Sequence, residues 1–333
     1  MPRVTIAQVA TEAGTSAMTV SNVLNNRPGA SEATRERVLD AARRLGYRPN
    51  LAARHLRGGR TGLVGVLTHD LTSQYALEIV RGIADELAVA QREVLISATY
   101  QDAHRETERI GLLTGGLVDA LLLVAPVLDD DALALLADTA PRCPTVVVDP
   151  RAFDIAPPTV AVDNYGGSRQ ATEHLIELGH TRIAHVCGHP GFESSAERLR
   201  GYRDAVRLAG LPADEVPDGA FSHEWGFHAG ATLAERAEPP TAVVAASDLI
   251  ALGVVDAARA RGLSVPADLS VVGFDDLPLA AQLFPGLTTV RQPLHDMGVT
   301  AVRMLTDRPD TTPARRVRMD TTLITRGTTR GVL

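Results

Sequence analysis

Apolar residues recur at helical spacing in three short runs near the start of the chain. Ile6, Val9, Ala10 and Ala13 mark a first helix, with Thr5 and Gln8 in a capping-box pattern at its start. Val20, Val23 and Leu24 mark a second, with Ser16 as its N-cap. A third is expected over 31–45, capped by Ser31 and facing inward through Val38, Leu39, Ala42 and Leu45. Gly14 separates the first two, because glycine alone takes positive φ without strain. The second helix then presents Ala17, Met18, Ser21, Asn22 and Asn25 outward. A short polar helix projecting from a small apolar core is how a helix-turn-helix reaches base edges. On pattern alone an ordinary helical hairpin fits as well.

From Thr61 the period changes. GLVGVLT (62–68), REVLIS (92–97), DALLLVA (119–125) and TVVVD (145–149) read as buried strands, separated by amphipathic helices over 76–91, 103–115 and 129–138. A second such unit begins near TVAVDN (159–164) and runs through TRIAHVCG, TAVVAAS and LSVVGFDD, with helices over 165–179, 194–209, 226–236 and 248–261. A terminal strand pair is expected over 315–325. The fold class is therefore a small all-α head followed by an α/β core of two parallel-sheet lobes. The boundaries are 1–48 for the head, 49–60 for a linker and 61–333 for the core. Within the core, the first lobe covers about 61–160 with 290–320, and the second about 161–289 with 321–330. Gly166-Gly167, Gly179 and Gly262 read as turns and helix ends, and His180 as a structural histidine at a helix terminus.

Charge sharpens this division. The net charge is −7. Yet residues 1–60 carry ten arginines against four acidic residues, while the remainder carries 23 arginines against 36. A basic head on an acidic body suits a head that meets phosphate, although a solvated basic face has the same composition. Cys143 and Cys187 lie far apart and make no metal spacing. No apolar run approaches the roughly 18 residues that span a membrane. Met1-Pro2-Arg3 leads into the first helix without a signal-like apolar stretch. A cytoplasmic protein is expected, with no membrane partner and no cofactor.

The motifs VTIAQVATEAG (4–14), TVSNVLN (19–25) and LGYRPNLAARHL (45–56) are similar to the LacI/GalR family of transcriptional repressors. So are VDNYGGSRQATEHLIELGHTRIAHVCG (162–188), SAERLRGYRDA (195–205), AASDLIALGVVDAARARGLSVPADLSVVGFDD (245–276) and LTTVRQP (287–293), and the similarity covers essentially the whole chain. The resemblance implies operator DNA as one partner and a small sugar-like effector as another. It also implies a core like the periplasmic sugar-binding proteins. Ala17, Met18 and Asn22 match base-reading positions, and Thr5, Ser16, Thr19, Ser21 and Asn25 match positions that meet the DNA backbone or support the helices. Asn50, Ala53 and Leu56 match a hinge helix that enters the minor groove, where the leucine wedges the central base step. A linker this short does not hold a helix by itself in water.

For the effector, the resemblance implies Tyr75 and Asp149 from the first lobe, and Arg198, Trp225, Ser247 and Asp275 from the second. A guanidinium, carboxylates and an aromatic face suit a polyhydroxylated ring. Arg198 with Asp275 is also open to reading as a structural ion pair between lobes. The chain departs from the family in three places: Ser247 replaces a common Asn or Asp, Gln74-Tyr75-Ala76 a common Pro-Phe-Phe, and Pro150 intervenes between Asp149 and Arg151.

Two other classes of function compete. A free sugar-binding protein of a transport system would share the core but not the head, and a corepressor-dependent regulator would share both. An enzyme reading rests on Asp275-Asp276, but neighbours on an extended segment point apart. No phosphate loop, nucleophile elbow or metal cluster accompanies them. A homodimer is expected, because one head buries too little surface for firm specific binding and no leucine heptad follows the last strand.

Overall fold

The computed structural model describes residues 4–24, 28–47, 61–217, 219–306 and 316–332. The chain divides into two units, Met1–Thr61 and Gly62–Leu333.

The first unit contains α1 (Ile6–Ala13), α2 (Ala17–Leu24) and α3 (Glu32–Leu45). Local chemistry sets each boundary. The Gln8 N–H donates to Thr5 Oγ1 (3.4 Å) and the Thr5 N–H to Gln8 Oε1 (2.8 Å), a reciprocal capping box. Gly14 closes α1 at φ 60°, with its N–H returned to Ala10 and Thr11. Ser16 accepts the Thr19 N–H (3.1 Å) and starts α2. Val9, Val20, Val23 and Val38 meet in a core completed by Ala10, Ala13, Ala41 and Ala42. Each buried valine contributes roughly 1.5 kcal/mol or more. Leu39, expected inside, is 40% exposed, and Ala41 takes the inward position. The buried stripe of α3 runs through Val38, Ala41 and Ala42, and Leu39 stands about 100° round the helix from Val38.

The second unit is two lobes of one design. The first holds β1 (Leu63–Thr68), α4 (Gln74–Val89), β2 (Glu93–Ala98), α5 (Ala103–Leu112), β3 (Ala120–Val124), α6 (Asp130–Thr139), β4 (Thr145–Val148) and β5 (Thr159–Val162). The second lobe then runs through α7 (Asn164–Glu177), β6 (Ile183–Val186), α8 (Glu193–Leu208), β7 (Asp214–Val216), α9 (His223–Ala234) and β8 (Ala242–Ala245). It continues with α10 (Asp248–Ala260), β9 (Ser270–Asp275), α11 (Pro278–Gln282) and β10 (Thr288–Arg291). The chain returns to the first lobe as α12 (Leu294–Thr306), which packs on α4, and ends with β11 (Arg316–Met319) and β12 (Thr322–Ile324).

The sheets run β11-β5-β4-β3-β1-β2 and β12-β10-β9-β8-β6-β7. Helices cover both faces of each, so the inner strands are apolar throughout. In each sheet the strand order reverses beside the first strand, between β1 and β3 and between β6 and β8. Such a switch point opens a crevice beyond the carboxyl ends of the strands.

Three expectations are corrected. The residues expected as a terminal strand pair do not pair with each other: β11 joins β5 in parallel in the first lobe, and β12 joins β10 antiparallel in the second. Two short edge strands gain more by completing existing sheets than by forming an isolated hairpin. TVAVDN does not open the second lobe, because β5 pairs with β4 and the chain crosses only at Asp163. Gly166 and Gly167 are not a turn but the first turn of α7. A Cβ at Gly167 would meet Thr321 Oγ1 at 2.6 Å and Val290 Cγ1 at 2.9 Å, so the glycine lets the helix lie close on the sheet. His180 is buried, with Nδ1 on the Thr241 hydroxyl (2.9 Å) and Nε2 near the Ser270 hydroxyl and the Arg330 carbonyl (both 3.1 Å). It ties the end of the chain to the second lobe.

Candidate functional site

The carboxyl ends of the two sheets open on one cavity of about 560 Å³. Its first-lobe wall comes from His69 after β1, Ser73 and Tyr75 at the start of α4, Ala125 after β3 and Asp149 after β4. Its second-lobe wall comes from the segment after β6, from Ser222, Ser247 and Asp275, and from Arg198 on α8.

Asp149 is buried with φ 52°, a conformation held by its N–H on the Val160 carbonyl (2.8 Å). The Tyr75 hydroxyl donates to its Oδ2 (2.9 Å). Burial pushes the Asp149 carboxyl above its ordinary value, opposed by Arg198 and by the tyrosine. The phenol is in turn raised well above its usual range, first by burial and then by the Asp149 charge.

Across the cavity, Arg198 is 3% exposed. Its Nε donates to Asn164 Oδ1 (2.8 Å) and its Nη1 to the Ala246 carbonyl (2.5 Å). The guanidinium lies 3.9 Å from the centre of the Phe274 ring, and Nη1 stands 3.6 Å from Asp275 Oδ1. Asp275 takes φ 125° and accepts the Gln292 amide N–H at 2.6 Å. Burial pushes its carboxyl up to about 7, against the pull of Arg198 and Gln292. Behind it Asp248 is fully buried, accepting from the Thr289 hydroxyl (2.5 Å) and the Leu277 N–H (2.7 Å). Burial, and then the Asp275 charge, raise the Asp248 carboxyl as well. Asp276 turns the other way, to Arg291 and Arg326 (both 2.7 Å), so the adjacent pair does not converge on one point.

Five of the six expected effector residues, Tyr75, Asp149, Arg198, Ser247 and Asp275, thus line one cavity. Trp225 does not. Its Nε1–H donates to the Cys187 carbonyl (2.9 Å) and its ring packs on the second-lobe core. The aromatic wall comes instead from Phe192 and Phe221, edge to face at 5.9 Å. Motif counting placed Trp225 in the cavity; the cap that Ser222 makes on α9 sets it on the first turn, turned toward β6. His69, Ser73 and Ser222 were also missed. A signal for them existed: each follows a strand or caps a helix where the sheet rule places ligands. Ser73, Ser222 and Ser247 accept the N–H of Ala76, Trp225 and Ile250 (3.3, 3.2 and 3.2 Å); the Ser222 hydroxyl also bonds the Glu224 carboxylate, while those of Ser73 and Ser247 keep a proton for a ligand.

In the first unit, Ala17 and Met18 are exposed on the opening turn of α2, Met18 at 72%, and Asn22 is half-buried. Thr5 and Ser16 direct their oxygens into helix caps, and Thr19 bonds the Ser16 hydroxyl (2.9 Å). Ser21 is half-buried. Asn25, Asn50, Ala53 and Leu56 lie outside the described residues. Among the described residues no group of His, Cys, Asp and Glu is arranged to hold a metal ion, and no helix is long and apolar enough to cross a membrane.

Residues 5–50 match the bacterial regulatory proteins of the lacI family, and residues 172–329 a periplasmic binding protein-like domain. The HTH-type transcriptional regulator CelR of Thermobifida fusca is 38% identical over 97% of this chain and 98% of its own. Among solved structures, the lac repressor dimer bound to operator and the anti-inducer ONPF superposes with a TM-score of 0.89 at 30% identity, covering 99% of this chain and 100% of that one. A CelR–cellobiose complex does so at 0.72 and 34% identity, covering 98% and 100%.

Proposed function

This chain belongs to the lacI family of bacterial regulatory proteins, and we propose that it is a cytoplasmic homodimeric repressor released from a near-palindromic operator by a carbohydrate. It is a DNA-binding transcriptional regulator and not an enzyme. The observation that carries the effector reading is the division of the cavity. Tyr75 and Asp149 belong to one lobe, Arg198 and Asp275 to the other, and a ligand bonded to both ties the lobes together. Acceptors, hydroxyl donors and two aromatic rings on those walls suit a ring with many hydroxyls. The lac repressor dimer with operator and the CelR complex with cellobiose support the same reading.

A ligand couples to DNA only through unequal affinity for two arrangements of the lobes. Ala17, Met18 and Asn22 read base edges: an asparagine pairs with adenine, and a methionine or alanine touches a thymine methyl. Leu56 wedges the central step from the hinge. Operator affinity measured by fluorescence anisotropy, with and without a sugar panel, tests the whole. The sugar weakens wild-type binding, whereas Arg198→Ala keeps near-normal operator affinity and loses the response. A full response in that variant sinks the site assignment. Tighter DNA binding on adding sugar makes the ligand a corepressor.

A further inference from the structure

The charge around the cavity says more than a taste for hydroxyls. Three carboxylates line it, those of Asp70, Asp149 and Asp275, against one guanidinium, that of Arg198. The guanidinium already answers to Asn164, the Ala246 carbonyl, the Phe274 ring and Asp275. Asp275 offsets its charge, and its remaining Nη2 can still meet a ligand hydroxyl. Of the two lining imidazoles, His69 is held below its ordinary value by burial, and so stays neutral near pH 7. His189 turns Nδ1 to the Gly191 N–H (3.0 Å).

Four helix N-termini also reach the cavity, those of α4, α8, α9 and α10, and such ends ordinarily attract anions. Those of α4, α9 and α10 are each capped by their own serine; α8 has no side-chain cap, but Glu193 stands in its first turn, as Glu224 and Asp248 do in those of α9 and α10. Protein groups answer those dipoles.

Asp149 matters most. It is buried, and the Tyr75 hydroxyl is its one side-chain donor among the described hydrogen bonds. A ligand that fills the cavity strips away water there, so it must itself bring a proton to that carboxylate. Hydroxyl and ammonium groups do; a phosphate or carboxylate brings only acceptors. We infer that the cavity is built against anions: resting on the carbohydrate reading above, the effector is a neutral or amine-bearing sugar, and phosphorylated or acidic sugars are turned away.

The test uses the full-length protein and matched sets of one sugar in four forms. Glucose, glucosamine, glucose 6-phosphate and glucuronate make one set, the galactose equivalents a second, and cellobiose with cellobionate a further pair. Thermal shift finds the set that binds, and calorimetry measures each form. At pH 8, above the value of about 7 to which Asp275 is raised, the anionic form is expected to bind about a hundredfold more weakly than the neutral one, because like charges in a cavity of low dielectric repel strongly. In Asp70→Asn and Asp149→Asn the ratio narrows. An anionic form that binds as tightly as the neutral one overturns the charge inference and leaves the carbohydrate reading standing. A ratio unchanged in both variants also overturns it, since the discrimination is then not electrostatic. If no form of any sugar binds, the carbohydrate reading fails and this inference falls with it.

Discussion

Asp149 and Asp275 hold equivalent places in two similar lobes. Each stands at the carboxyl end of the fourth strand in the order β2-β1-β3-β4-β5 or β7-β6-β8-β9-β10, each with positive φ, each buried on the same cavity. An aspartate in that backbone region costs of order 1 kcal/mol and persists only where its surroundings hold it. The surroundings differ. Asp275 has the Gln292 amide at 2.6 Å, the Arg198 guanidinium at 3.6 Å and Asp248 braced behind it. Asp149 has the Tyr75 hydroxyl. Asp275 is thus held from several sides, whereas the first lobe's acceptor depends on one phenol at the start of α4.

The largest effect expected from this contrast is at Asp275. In Asp275→Ala the Arg198 guanidinium remains buried without its carboxylate. Breaking a buried pair costs about 3 kcal/mol of stability, and ligand affinity falls by more than about a hundredfold. Asp149→Ala leaves only a phenol without its acceptor and costs about tenfold in affinity. Calorimetry and thermal unfolding of both variants measure the difference, and equal losses would erase the distinction between the lobes.

Proton linkage sharpens it further. Asp275 is raised to about 7 by burial, and the groups facing it are Arg198, Gln292, Asp149 and Asp248. A hydroxyl donates to the ionised carboxylate, so the form that binds ligand is depleted as pH falls through that value. Affinity is expected to rise between pH 6 and pH 8 and to level off above, by up to about tenfold per unit on the acid side. The slope disappears in Asp275→Asn. A wild-type affinity that is flat over this range means the ligand does not use Asp275 as an acceptor.

The smallest effect is expected at the tryptophan. Trp225→Phe keeps ligand affinity within about twofold, since the ring lies outside the cavity lining, whereas Phe221→Leu weakens it several-fold by removing an aromatic wall. The opposite ranking would return Trp225 to the site.

What the sequence determined by itself is what short-range chemistry decides. The capping box at Thr5 and Gln8, the glycine closing α1, the serine cap of α2 and the apolar strands with carboxylates at their ends all follow from residues within a few positions of one another. Periodicity reports burial only where one face is plainly apolar, which is why Val38 was legible and Leu39 was not. Asp149 and Asp275 could be named because strand ends and the family resemblance point to the same crevice, and Arg198 because the resemblance does.

Only the tertiary structure decided which side chains complete that crevice. Trp225 leaves it because the Cys187 carbonyl, far away in sequence, offers its indole N–H a partner, and Phe192 and Phe221 arrive together from two separate loops. β11 and β12 part because each finds a sheet edge in a different lobe. The raised carboxyl of Asp275 comes from burial between packed segments, held in check by Arg198, Gln292 and the Asp248 N–H, which three other stretches of chain bring to it. Hydrogen bonding and burial between distant segments leave no trace in local spacing, because the free energy that orders them exists only once the segments meet.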